Sequence, residues 1–159
     1  TDYQCVHAVV ERFELWRNML SNANHHKSEE KGLWGELYTL REVLLHEKAM
    51  DAVRSWTGPD YEVQDFKFAN HWIEVKTVSS NSFVAKISSI KQLLSANTGY
   101  LHVLFADEEE FNEQTETVHK IYNDIFNLQL SKSRRIFLFR SNQYECSHYL
   151  QMRFPKNCV

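Results

Sequence analysis

The chain has 159 residues, a formal net charge of -3, 43% hydrophobic residues and 25% charged residues. That is the size and composition of one domain with its own hydrophobic core. The charge excludes coating nucleic acid by bulk electrostatics, but not a site in which clustered carboxylates hold a cation. No apolar run approaches membrane-spanning length and the start lacks a signal-peptide pattern, so no membrane association is expected. Cys5, Cys146 and Cys158 are odd in number and form no CxxC. A disulfide framework or cysteine zinc site is therefore not expected, and a reducing cytoplasm fits best. The chain starts Thr1-Asp2-Tyr3 without an initiator Met. A processed, excised or partial product, truncated at one or both ends, is one expectation.

Val6 to Leu20 places Val6, Val9, Val10, Phe13, Trp16 and Leu20 near helical spacing. After a polar loop, Ser28 is expected to cap a second helix, with Glu29 and Glu30 in its first turn. Leu33, Leu37, Leu40 and Leu44 form its apolar stripe and Glu36 lies beside that stripe; the helix should reach about His46, with more helix through Val53. Thr57-Gly58-Pro59-Asp60 marks a turn. Gln64 to Phe68, Trp72 to Thr77 and Phe83 to Ile87 read as strands, and a helix carrying Ile90, Leu93 and Leu94 should open at Ser88-Ser89. Tyr100 to Phe105 is apolar enough for a buried central strand. Asp107 to Glu110 reads as a solvated loop, Thr115 to Leu130 as a helix, and Ile136 to Phe139 and Tyr149 to Phe154 as strands. The sum is a single mixed α/β domain.

The segment from Asp65 to Lys76 carries the chemistry. Alternation puts Asp65 and Lys67 on one face and Phe66 and Phe68 on the other. In the second strand Trp72, Glu74 and Lys76 share a face, and Ile73 and Val75 take the opposite one. If both apolar pairs face the core, Asp65 must pair with Glu74 or Lys76, since a one-residue slip would bury Asp65 or expose the phenylalanines. Two close carboxylates repel and find relief on a hard divalent cation, and Mg²⁺ needs only one or two of them. The Val75 carbonyl is a further candidate ligand. Lys76 would position the attacking water or stabilise transition-state charge in phosphodiester hydrolysis. The bland alternative is a turn-closing Asp65 and a solvent-face Glu74–Lys76 ion pair; a lone E-x-K decides nothing.

The order helix-Glu, Asp, Glu-x-Lys, helix-Gln resembles the PD-(D/E)XK nuclease superfamily. More narrowly, Gly32-Leu33-Trp34-Gly35-Glu36-Leu37, Trp56-Thr57-Gly58-Pro59, Asp65-Phe66, Ile73-Glu74-Val75-Lys76 and Ile87-Ser88-Ser89-Ile90-Lys91-Gln92-Leu93 resemble one little-characterised family within it. Its members are often encoded among bacterial restriction-modification and anti-phage genes. The resemblance covers roughly residues 6 to 155 and implies a restriction-endonuclease-like core of α-β-β-β-α-β order, a mixed central sheet flanked by helices. It implies Asp65, Glu74 and Lys76 as the catalytic motif, with Glu36 reaching the metal directly or through water. Gln92 would orient a phosphate or steady the lysine. Pro59-Asp60 stands upstream of the expected position, so Asp65 takes the metal-binding role and Asp60 is the weaker alternative. Family members are commonly longer, and Phe154-Pro155-Lys156 looks like an internal motif.

Other residues carry less. Lys132, Arg134, Arg135 and Arg140 would suit a DNA backbone or, equally, a solvated strand edge. His25 and His26 read as an exposed loop. Trp16, Trp34, Trp56 and Trp72 read as packing, with Trp72 the best placed to meet substrate. The leading expectation is a Mg²⁺-dependent endonuclease, with Mn²⁺ as substitute, cutting double-stranded DNA in restriction or phage defence. The chain would act alone, as a homodimer, or with partner subunits of a defence system. The runner-up is a catalytically silent DNA- or protein-binding module of a restriction complex, and a metal-dependent RNase is a third reading.

Overall fold

Four leucine positions and a few tight contacts order the first half of the chain. The computed structural model describes residues 7–8, 10–15, 18, 27–44, 51–60, 62–82, 84–110, 112–132 and 151–153. Residues 7–8 and 10–15 are helical, as the spacing predicts. Helix α1 spans Lys27–Thr39 and continues as a π-helical turn over Leu40–Leu44. Its stripe behaves as expected: Leu33, Leu37 and Leu40 are fully buried and Leu44 packs against them. Ser28 does not cap this helix, because Lys27 before it is already helical. Gly35 faces the sheet so closely that a Cβ would lie 1.9 Å from Thr77 Oγ1, whereas Gly32 faces open space and close packing does not explain it. Residues 51–55 add a short helical piece that buries Ala52 and Val53.

Strand β1 (Phe66–Lys67) pairs antiparallel with β2 (His71–Val78), and β2 pairs parallel with β3 (Thr98–Phe105). The molecule is thus α/β, with a mixed three-stranded sheet in the order β1-β2-β3 and helices against it. Helix α1 covers the face formed by Val75 and Thr77. Helix α2 (Val118–Lys132) buries Val118, Ile121 and Ile125 against α1 and stacks Tyr122 on Phe13, ring centroids 3.7 Å apart. Arg41 ties the π turn to α2 by an ion pair to Asp124 at 2.9 Å, and to the segment just before that helix by one to Glu116 at 2.7 Å.

Several expected elements are altered. Residues 84–87 form no strand, and the helix expected from Ser88 is a 3-10 turn, Ile90–Leu93, capped by Ser89. Strand β3 exists but is an edge strand of the described sheet, with Tyr100 56% and Leu101 44% exposed instead of buried. The acidic run is not all loop. Asp107–Glu108 (β4) and Glu116–Thr117 (β5) flank Gln151–Arg153 (β6) in a small antiparallel sheet. That pairing delays the start of α2 to Val118. The expected strand Ile136–Phe139, the three cysteines, His25, His26, Trp16 and Phe154-Pro155-Lys156 lie outside the described residues. No helix among the described residues is long and apolar enough to cross a membrane.

Candidate metal and catalytic site

The hairpin register is one of the two that alternation allows. Phe66 pairs with Ile73 and Lys67 with Trp72, so one step further back Asp65 stands across from Glu74. Phe66 is fully buried, Val75 nearly so, and Phe68 and Ile73 pack against the core. Asp65 Oδ2 accepts a hydrogen bond from the Val75 amide at 2.7 Å. Within a strand, one residue's N–H and C=O point to the same edge. The Val75 carbonyl therefore points to the edge that Asp65 occupies, beyond the end of β1. Lys76 Nζ lies 2.6 Å from Glu74 Oε1. Glu74 is fully buried, and its second oxygen, Oε2, has no hydrogen-bond partner.

Glu36 joins from α1. It is 6% exposed, and its Oε2 accepts the Trp56 indole N–H at 2.7 Å. Sequence reasoning read Trp56 as packing and Gly58 as a turn residue, and missed what both do here. A Cβ on Gly58 would lie 2.1 Å from Glu36 Oε2, so the bare glycine backbone is what admits the carboxylate. Thr57 completes the bracket: its amide donates to the Asp65 carbonyl at 2.8 Å and its hydroxyl to the Gln64 carbonyl at 2.8 Å.

Electrostatics connect these groups. Burial pushes Glu36 well above the ordinary carboxylate range; the Asp65 charge adds to this, the Trp56 N–H opposes it, Glu74 adds and Lys76 opposes. Burial also raises Asp65, against the Val75 amide and the Lys76 ammonium. Glu74 is pushed up to about 6, first by burial and then by the Asp65 charge, with Lys76 and the Asp65 backbone amide pulling the other way. Three carboxyl groups that resist ionisation around one ammonium form a site short of positive charge.

The other expected residues are placed differently. Gln92 Oε1 accepts from the Ser88 amide at 3.0 Å and so closes its own 3-10 turn. That turn is tied to the hairpin by Gln64 Nε2, which donates to the Lys91 and Gln92 carbonyls at 3.3 and 3.4 Å. Asp60 is paired with Arg12 at 2.7 Å. Trp72 is buried; its ring lies where a Gly99 side chain would be, and its indole donates to the Asn97 carbonyl at 3.2 Å. It packs between strands and does not present its face to a substrate. Lys132 ends α2, while its side chain and Arg134, Arg135 and Arg140 lie outside the described residues.

Among the described residues no group of three or more His, Cys, Asp or Glu side chains forms a ready-made metal cage. Mg²⁺ does not require one, since it keeps several waters and takes one or two carboxylates. A buried carboxylate oxygen without a partner, opposite a second carboxylate, fits a hard cation that prefers oxygen. Asp65, Glu74 and the Val75 carbonyl are the residues that would hold it, with Glu36 behind them.

The sequence model of the family described as "Putative PD-(D/E)XK family member, (DUF4420)" matches residues 1–151. No curated protein and no solved structure matches the chain. That match spans nearly all of the 159 residues, over an α/β fold whose central hairpin carries Asp65, Glu74 and Lys76, and the chain belongs to this PD-(D/E)XK family.

Proposed function

We propose that the protein is a Mg²⁺-dependent endonuclease that hydrolyses DNA phosphodiester bonds, with Mn²⁺ able to replace Mg²⁺. The observation that carries this reading is the unpartnered, buried Oε2 of Glu74 opposite Asp65. Leaving such an oxygen without a partner costs about 1–3 kcal/mol, and a structural ion pair with Lys76 alone does not require it. A bound divalent cation would offset that cost and supply Lewis-acid chemistry, making water more acidic and countering charge on the phosphate oxygens.

The chain's own groups then have distinct tasks. Asp65, anchored by the Val75 amide, is held in one orientation. Glu74 shares its charge between the cation side, Oε2, and Lys76, at Oε1. The Lys76 ammonium is partly exposed beside them, where it would donate to the attacking water or to a phosphate oxygen. Gln92 Nε2 remains a donor for phosphate once Oε1 has closed the turn. Double-stranded DNA as substrate and restriction or phage defence as setting rest on the family resemblance, as do a homodimer or partner defence subunits. Lys132, Arg134, Arg135 and Arg140 are proposed for the DNA backbone on their charge alone.

The test is cleavage of methylated and unmethylated plasmid with Mg²⁺, Mn²⁺ or chelator, with RNA assayed in parallel. Wild type should cut only with metal, and Asp65→Ala, Glu74→Ala and Lys76→Ala should each lose at least about 100-fold in rate while remaining folded. Undiminished cutting by all three variants sinks the proposal. DNA binding by wild type without turnover at any metal concentration would instead favour a silent binding module.

A further inference from the structure

We infer that Trp56 and Gly58 are positioning residues that act through Glu36, holding its carboxylate at the proposed cation site. This rests on the functional reading above and extends it to residues that touch neither cation nor substrate.

The geometry is specific to one short segment. Trp56 is fully buried and pairs with Phe66 by an isolated antiparallel bridge, so its backbone belongs to the sheet on the side away from β2. Its indole N–H has a single directional partner, Glu36 Oε2 at 2.7 Å, 20 residues earlier in the chain. Two residues on, Gly58 leaves the space into which that same oxygen projects. Between them Thr57 donates its amide to the Asp65 carbonyl, and Gly58 adds a longer bond to the same carbonyl at 3.3 Å. One turn thus fixes a carboxylate from α1 relative to a carboxylate of the hairpin. Arg12 secures the far side of the turn, bonding the Trp56 carbonyl and pairing with Asp60.

Packing alone would not place an N–H donor on a buried carboxylate and remove the Cβ beside it. Both features serve the Glu36 carboxylate. Groups that orient metal-binding carboxylates from behind typically contribute 10- to 100-fold to affinity.

The experiment measures Mg²⁺ and Mn²⁺ affinity by calorimetry in the full chain, alongside thermal melts. Trp56→Phe keeps an aromatic side chain but loses the indole N–H, and it should weaken metal binding by about tenfold. In a Glu36→Ala background the same change should alter affinity by less than about twofold, because its route to the cation is gone. Gly58→Ala, a smaller change to the core, should reproduce the loss in the wild-type background and not in Glu36→Ala. Unchanged affinity in both single variants overturns the inference, as does an equal loss with and without Glu36. If wild type itself binds no divalent cation, the functional proposal falls first, and this inference with it.

Discussion

Glu74 carries a charge that its surroundings oppose. Its pKa is pushed up to about 6 from an ordinary value of 4.5, so the folded chain holds this proton more tightly than the unfolded chain does. The associated stability is present in full below about pH 4.5 and is lost as pH rises through about 6, a loss of about 2 kcal/mol. Asp65 and Glu36 are shifted in the same direction and add to the trend. In metal-free urea denaturation, wild type should therefore lose stability relative to Glu74→Gln between pH 4.5 and 7. A difference that stays flat over that range would show that Glu74 is not desolvated as described. On the proposed function the same shift would govern cation uptake, because only the ionised carboxylates bind. At subsaturating Mg²⁺, cleavage should decline as pH falls below about 6, and raising the metal concentration should move that limb to lower pH.

At the level of elements, the two glycines of α1 make opposite predictions. Gly32→Ala meets open space in a helix interior and should stabilise the fold by about 0.5–1 kcal/mol. Gly35→Ala drives a methyl into Thr77 Oγ1 and should destabilise by about 1–3 kcal/mol, lifting α1 from β2. Denaturation midpoints for the pair check both signs, and a stabilising Gly35→Ala would contradict the described contact. The hairpin was legible in sequence because burying Phe66 and Val75 at a period of two leaves only registers that pair Asp65 with Glu74 or Lys76, and the chain takes the first. The segment after it was not. Residues 84–87 have strand-like composition, yet Val84 is 74% exposed and meets no ladder among the described residues. Ile90, Leu93 and Leu94 have helical spacing but are 72%, 41% and 64% exposed, so no buried face supports a full helix and only a capped 3-10 turn remains. Strands β4 and β5 are two residues long, too short for any periodicity to mark them, whereas β6 lies within the strand expected from Tyr149 to Phe154. The Trp56–Glu36 bond joins residues whose sequence neighbourhoods give no sign of each other, so the motif flagged both positions without revealing that they touch.

Across the whole molecule, a net charge of -3 and a site holding Glu36, Asp65 and Glu74 against one nearby lysine should repel a polyanion. On the proposed function the cation would serve substrate capture as well as chemistry, since its charge would reverse the local field that the carboxylates create. Ca²⁺ separates the two roles if it fills the oxygen site without supporting hydrolysis, as its looser coordination allows. Binding of a duplex DNA oligonucleotide, followed by fluorescence anisotropy, should be weak in chelator and at least about tenfold tighter in Ca²⁺, a gain of about 1.4 kcal/mol. Asp65→Ala and Glu74→Ala should abolish the Ca²⁺ effect and bind DNA in chelator slightly better than wild type, because each removes a negative charge facing the phosphates. Lys76→Ala should keep most of the Ca²⁺ gain, as its contribution lies in the reaction and not in holding the ion. Equal DNA affinity with and without the cation would place the binding energy elsewhere on the surface and detach recognition from the carboxylate pair.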